Sequence, residues 1–395
     1  MFRASAPSEF IVEEILPDGT VLKVDTPADG AGLADPSDQS LERDYFCHFV
    51  MQKTDWNTMQ ALSAIAFRMG VNPGRFNFAG TKDKKAVTVQ RCSAFAMEPS
   101  RILPMNVKDV KILGAWKARE KVKLGDLAGN RFTIALTKEN CGVDVDADAL
   151  RAKVDACDGI IRNDFGAQRF GSLRQNTATV GEHMLAGDFQ KAVMEYVAGE
   201  GPEPENFAAA RKRLLDEGDF TAACQYFPHV LRYEKGMIAH LAQKPHDFVG
   251  AMRRLPRNLQ LMFVHAFQAK LFNEYIGENE GDFVCPQDEA GFPNPERAVL
   301  GNVGQEYRGR RWPCAHIIGY DTELTESEEK FLEEKGVQKE SFKIKAMPQL
   351  SAKGTFRPTR VPLKGFEVMA RKPVVVRFSL PSGSYATAAL DQLLH

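Results

Sequence analysis

Three lysines and one aspartate crowd the stretch Gly80-Thr81-Lys82-Asp83-Lys84-Lys85. Ammonium groups at that density can hold a polyanion, and a carboxylate set among them can act as nucleophile or base. On charge alone, Lys82, Lys84 and Lys85 read equally well as a solvated run at a hairpin tip. Asp83 is what sets the cluster apart. Nearby positive charge favours an ionised carboxylate, so the sequence predicts a lowered pKa for Asp83 and an anion at neutral pH. A nucleotide phosphate held by the lysines would bring its sugar or base to that anion.

Other chemistries fit less well. A triphosphate-binding loop built from Gly74, Gly80, Thr81 and Lys82 would need four residues between its glycines and a Lys followed by Ser or Thr. Here five residues intervene and Thr precedes Lys. Cys47, Cys92, Cys141, Cys157, Cys224, Cys285 and Cys314 form no Cys-x-x-Cys pair and no cluster with histidine at metal spacing. They read as free, mostly buried thiols of a reducing compartment. His48 and His265 read as packing residues. No metal and no cofactor is predicted. With no basic-then-apolar leader and no apolar run approaching the length of a membrane span, the expectation is a cytoplasmic protein without a membrane anchor.

The run Ala79-Gly80-Thr81-Lys82-Asp83-Lys84-Lys85-Ala86-Val87-Thr88 resembles the signature of the TruD family of tRNA pseudouridine synthases. Three further blocks resemble that family in the same order. They are Gly129-Asn130-Arg131-Phe132, Asn163-Asp164-Phe165-Gly166-Ala167-Gln168-Arg169-Phe170-Gly171, and Phe378-Ser379-Leu380-Pro381-Ser382-Gly383-Ser384-Tyr385-Ala386-Thr387. Asp164 departs from the commoner family form, which has an aromatic residue there. The resemblance implies that Asp83 is the catalytic carboxylate, attacking the sugar or removing a proton from it. It implies that Phe10, Asn130, Phe132 and Tyr385 surround a flipped-out uridine, by stacking and by a hydrogen bond from or to Asn130. Arg169 is a candidate phosphate or carboxylate partner, and Lys82, Lys84 and Lys85 are candidate phosphate contacts. The implied substrate is tRNA, at uridine 13 of the D-arm, handled by a monomer that needs no protein partner.

Several elements must position these groups. Phe76 and Phe78 before the lysine-rich tip, and the alternation of 86–89 after it, predict a hairpin. Asp55 or Asn57 caps a helix over 58–69, with Met59, Leu62, Ile65, Ala66 and Met69 on one face. Residues 9–15 and 20–24 flank a Pro-Asp-Gly turn and predict a second hairpin. Strands are expected at 45–53, 107–113, 131–136 and 373–380, and helices at 144–161, 190–196, 207–217, 259–276 and 385–394. Thr325-Glu326-Ser327-Glu328 is a capping box. Asn130 and Phe132, two apart on a strand, project to one face.

At 395 residues, with 44% hydrophobic residues, the chain exceeds one compact domain. The resemblance implies an α+β fold, with a mixed, largely antiparallel sheet of pseudouridine-synthase type flanked by helices. Residues 1–172 and 348–395 would form the catalytic domain, and 173–347 a large, mainly helical α/β insertion. The net charge of −1 gives no sign of a nucleic-acid partner. Its distribution does, since basic residues gather at 82–91, 108–123, 308–311 and 343–377, away from the acidic 144–148 and 323–334. Arg308, Arg310, Arg311 and Trp312 are equally a candidate RNA grip or a surface cluster. Two rivals stand beside the enzyme: a non-catalytic RNA-binding module, which has no use for Asp83, and a small-molecule phosphotransferase, which lacks its phosphate loop.

Overall fold

The computed structural model describes every residue except 1, 29, 31–35, 43, 44, 172 and 302–310. The chain divides into two units, Met1–Asn163 with Gln287–Asn294 and Arg360–His395, and Asp164–Pro286 with Pro295–Thr359. In chain order the strands begin with β1 (Phe10–Ile15), β2 (Phe46–Thr54), β3 (Phe76–Phe78), β4 (Val87–Phe95) and β5 (Val110–Ala118). They continue with β6 (Gly129–Leu136), β7 (Ile160–Arg162), β8 (Phe283–Pro286), β9 (Val299–Leu300) and β10 (Arg311–Ile317). The last are β11 (Thr355–Pro358), β12 (Arg360–Pro362), β13 (Lys364–Arg371) and β14 (Val374–Pro381).

In the first unit an eight-stranded sheet runs β13-β14-β6-β1-β4-β2-β5, with β3 on the edge of β4. Its pairs are antiparallel except β1 with β4. One face carries two separate apolar clusters. Phe10, Val12, Phe132, Ile134, Val376, Phe378 and Leu380 pack with the helices Ala147–Ala156 and Ala386–Leu394. Cys47, Phe49, Met51, Cys92 and Ala94 pack with the helix Thr58–Met69. Each fully buried large apolar side chain stabilises by about 1.5–3 kcal/mol, so both patches must stay covered. The opposite face holds a smaller cluster of Leu16, Leu22, Val50, Val89 and Trp116.

The hairpin of β3 and β4 and the helix over 58–69 form where the sequence places them. Asn57 caps the helix by accepting from the Met59 amide, and Gly70, at φ 65°, ends it. Met59 differs from expectation and is 55% exposed. The buried stripe begins instead at Thr58 and runs through Ala61, Leu62, Ile65 and Ala66, which turns Met59 outward. The expected strand at 20–24 also fails to form beyond a bridge from Ile15 to Val21. β4 takes one edge of β1 at 11–13 and β6 the other, so the returning chain bonds β1 past residue 13, from the Leu22 amide to the Glu14 carbonyl, and the Val24 amide then donates to the Glu13 side chain. Gly129 has to be glycine, because a Cβ there would stand 2.2 Å from the Leu380 carbonyl oxygen on β14.

The second unit holds a four-stranded sheet, β11-β10-β8-β9, and helices including Thr177–Leu185, Phe189–Ala198, Glu205–Glu217 and Arg257–Glu278. The last two elements match the expected helices at 207–217 and 259–276. Gly181 lets Thr177–Leu185 approach the long helix, since a Cβ would lie 2.1 Å from the Phe263 carbonyl oxygen. Thr325 and Glu328 make the reciprocal bonds of a capping box. Arg311 is exposed while Trp312 is buried, and Arg308 and Arg310 lie outside the described residues.

Candidate active site

A polar strip separates the two apolar clusters on the sheet face. In register, Lys53 on β2 lies opposite Thr88 on β4, and Thr88 opposite Val12 on β1. Two residues along, Gln90 follows Thr88 and Glu14 follows Val12, with Glu14 opposite Asn130 on β6. Lys53, Thr88, Gln90 and Glu14 are all buried. Such groups are costly in a protein interior unless each finds a partner.

The connection from β3 to β4 supplies partners for Lys53, Gln90 and Glu14. Since β1 covers β4 at 87–89 and β3 covers it at 92–94, the intervening chain, 79–86, has to cross the strip. Gln90 donates to the Gly80 carbonyl at 3.0 Å, and the Lys82 amide donates to Thr58 Oγ1 at 3.1 Å. Thr58 Oγ1 in turn donates to Gln90 Oε1 at 3.0 Å. Lys82 Nζ meets Glu14 Oε2 at 2.7 Å, and the other Glu14 oxygen accepts from the Arg91 amide at 3.0 Å, in the gap between β1 and β3. Lys53 Nζ donates to the carbonyl oxygens of Asp83 at 2.8 Å and Lys82 at 3.4 Å. The main chain on both sides of the Asp83 carboxylate is therefore fixed to the sheet.

Asp83 is exposed at the surface, although neighbouring protein atoms displace part of its hydration. Lost hydration pushes its carboxyl pKa up, against the lowering effects of Lys53, of its own backbone amide and of Lys82. This reverses the direction that the lysine-rich sequence suggested. Desolvation also acts on Lys53, whose ammonium is brought down to about 8 although Asp83 favours its charge.

Lys82 must be reassigned. With 4% of its side chain exposed and its ammonium on Glu14, it is a buried anchor and not a phosphate contact. Lys84 and Lys85 are exposed, as a phosphate contact requires. Phe10 and Phe132 are reassigned as well. They are 7% and 5% exposed and stack on each other, with ring centroids 6.0 Å apart and planes at 9°. Phe378 leans on Phe132 at 5.7 Å. The stacking expected between these rings and a base is made inside the core instead.

Asn130 projects to the same face as Phe132, as the spacing predicts, and its Oδ1 is buried without a hydrogen-bond partner among the described residues. Thr88 Oγ1 is likewise without one. Tyr385 is half-buried at the N-cap of the helix Ala386–Leu394. It follows β14, whose Leu380 registers with Asn130, and the intervening Ser382 amide donates to the Ala128 carbonyl. Arg169 belongs to the second unit, where its guanidinium carbon lies 5.6 Å from the Phe165 ring centroid. Most basic side chains of 117–123 are paired: Lys117 with Glu98, Arg119 with Asp38 and Lys123 with Glu120.

Glu14, Lys53, Thr58 and Gln90 escape the reading of motifs. A signal for two of them does exist. Glu14 continues the inward phase of Phe10 and Val12, and Lys53 that of Cys47, Phe49 and Met51. A charge at an inward position of a strand marks either a strong partner or a site.

A family model described as tRNA pseudouridine synthase D (TruD) matches residues 3–393. The chain belongs to this family. A Methanopyrus kandleri protein named as a tRNA pseudouridine synthase D is 38% identical over 355 residues, covering 88% of this chain and 84% of that protein. A Methanococcus maripaludis protein of the same name is 34% identical over 389 residues, covering 96% of this chain and 92% of its own length. The crystal structure assigned to tRNA pseudouridine synthase D (TruD) of Methanosarcina mazei superposes with a TM-score of 0.71 at 31% identity. It covers 98% of this chain and 92% of that one. As a TruD-family member the chain is a tRNA pseudouridine synthase, an isomerase of uridine in tRNA, and its fold is of the α+β class that the four blocks imply. Among the described residues no helix is long and apolar enough to cross a membrane.

Proposed function

We propose that this TruD-family chain converts uridine 13 of tRNA to pseudouridine, with Asp83 as the catalytic carboxylate of the first unit. The observation that carries this reading is the solvent-accessible Asp83 on a loop pinned to the sheet at Gly80, Lys82 and Asp83, its carboxyl pKa pushed up by partial desolvation. A carboxylate whose pKa is raised by partial desolvation is a stronger base than a fully solvated one, and its fixed backbone removes part of the orientational cost of reaction.

Isomerisation breaks the bond from N1 of the base to C1′ of the sugar and forms a bond from C5 to C1′. A proton leaves C5 and one is gained at N1, with no electron transfer and no hydrolysis. Asp83 serves this sequence either by attacking C1′ or by removing a proton from the sugar. Reaching the atoms requires the nucleotide to leave its stack, at a cost of a few kcal/mol that protein contacts must offset. Asn130 Oδ1, without a partner among the described residues, is suited to accept from an N–H of the turned-out base. Tyr385 supplies an aromatic face, and Lys84 and Lys85 hold flanking phosphates. The enzyme works in the cytoplasm without a protein partner.

The loss of hydrogen from C5 provides the test. Incubation with tRNA carrying tritium at C5 of uracil is expected to release one tritium per tRNA into water, and release at background level would refute the reading. Replacing both Lys84 and Lys85 by Ala is expected to weaken tRNA binding. The plot of log affinity against log salt should flatten by up to about two units of slope. A filter-binding titration at several salt concentrations measures it, and an unchanged slope would move the phosphate contacts elsewhere.

A further inference from the structure

Lys53 is buried in the sheet, and at the end of β2 its side chain points into the polar strip. An ammonium in that position would be expected to lie against a carboxylate. Glu14, the buried carboxylate of the same strip, is already engaged by Lys82. Lys53 instead donates to two consecutive main-chain carbonyls, those of Lys82 and Asp83. We propose that Lys53 is a positioning residue for Asp83, clamping the main chain beneath it and supplying, through space, the positive charge that favours its ionised form.

The inference rests on Asp83 being the catalytic carboxylate, and it adds a second titrating group. The ionisable groups facing Lys53 are Asp83 and Lys82 from the loop and Cys92 from β4, with Glu14 of β1 beyond Lys82. Asp83 and Cys92 favour the lysine's charge, whereas burial and Lys82 oppose it, and its pKa falls to about 8. The charge is thus present below that value and lost above it, where the clamp weakens from charge-assisted to neutral hydrogen bonds. Of the charged neighbours, Lys53 opposes the upward push on the Asp83 carboxyl most strongly, ahead of Lys82. Removing its charge leaves desolvation less opposed, and Asp83 then ionises at higher pH.

The experiment is a pH profile of kcat/KM for tRNA with the full-length wild type, Lys53→Gln and Lys53→Arg. Wild type is expected to lose activity on the acid side as Asp83 takes up a proton and on the alkaline side near pH 8 as Lys53 releases one. In Lys53→Gln the acid limb should move up by about one pH unit or more, and the limb near pH 8 should vanish. Lys53→Arg keeps a charge that does not titrate in this range, so only the alkaline limb should vanish. A Lys53→Gln profile with both limbs in the wild-type positions would overturn the proposal. Should neither variant fold, wild type decides alone: a profile flat from about pH 7 to about pH 9 overturns it, and a loss centred near the lysine supports it. Activity retained by Asp83→Asn would sink the underlying assignment. An inactive Asp83→Asn beside an unshifted Lys53→Gln sinks only the role given to Lys53.

Discussion

Asp83→Asn is expected to abolish pseudouridine formation, with a loss on the order of 10⁴-fold or more in single-turnover rate, while tRNA affinity stays within a few fold. The amide has nearly the volume of the carboxylate, and the contacts that fix residue 83 are to its main chain, where Lys53 binds the carbonyl oxygen. The loop should therefore keep its course. What disappears is the group able to attack C1′ or to take up a proton. The phosphate contacts assigned to Lys84 and Lys85 are untouched, so binding and chemistry should separate. Turnover comparable to wild type would rule out Asp83 as the catalytic group. In the wild type the same carboxyl sets the acid limb of the pH profile. Because burial raises its pKa, activity should fall away at a higher pH than an ordinary, solvated aspartate would give.

The second large effect concerns stability. Lys82→Met leaves Glu14 fully buried with the Arg91 amide as its remaining donor among the described residues, and breaking a buried ion pair in this way costs about 3–5 kcal/mol. It also frees one anchor of the loop that carries Asp83, so activity should fall along with stability. Pairing it with Glu14→Gln removes the stranded charge and should recover a good part of the loss, since the two sites are directly coupled. Chemical denaturation followed by tryptophan fluorescence is a suitable measure, because Trp56 and Trp116 lie in the first unit and Trp312 in the second. A cost for Lys82→Met within the ±0.5 kcal/mol typical of surface changes would show that the pair is not held as described.

Lys82 also shows what a sequence hides. Among three lysines it looks like its neighbours, and nothing local says that it turns inward while Lys84 and Lys85 turn out. That choice depends on Glu14, 68 residues away in the chain, and on the pairing of β1 with β4. The same holds for Lys53 and Gln90, whose shared face exists only once β2, β4 and β1 are in register. Phe10 and Phe132 illustrate the converse. Their type and spacing suit base stacking, but β1 pairs with β6 so that the two rings meet each other first. The direction of the Asp83 shift escapes the sequence for a related reason: counting neighbouring charges ignores the hydration that nearby protein atoms displace. What was legible is what short-range chemistry dictates. The Asn57 cap, the Gly70 stop, the Thr325 capping box, the β3–β4 hairpin and the long helix Arg257–Glu278 all declare themselves within a few residues. The position of Asp83 at the end of that hairpin was legible with them.

The central claim is that the fixed carboxylate acts on one uridine of tRNA. Nucleotide-resolution mapping of pseudouridine in an unmodified tRNA transcript, before and after incubation with the protein, tests it most directly. The account predicts a single new pseudouridine at position 13, and none when that position is cytidine. A transcript without new pseudouridine, or with pseudouridine only outside the D-arm, would contradict it.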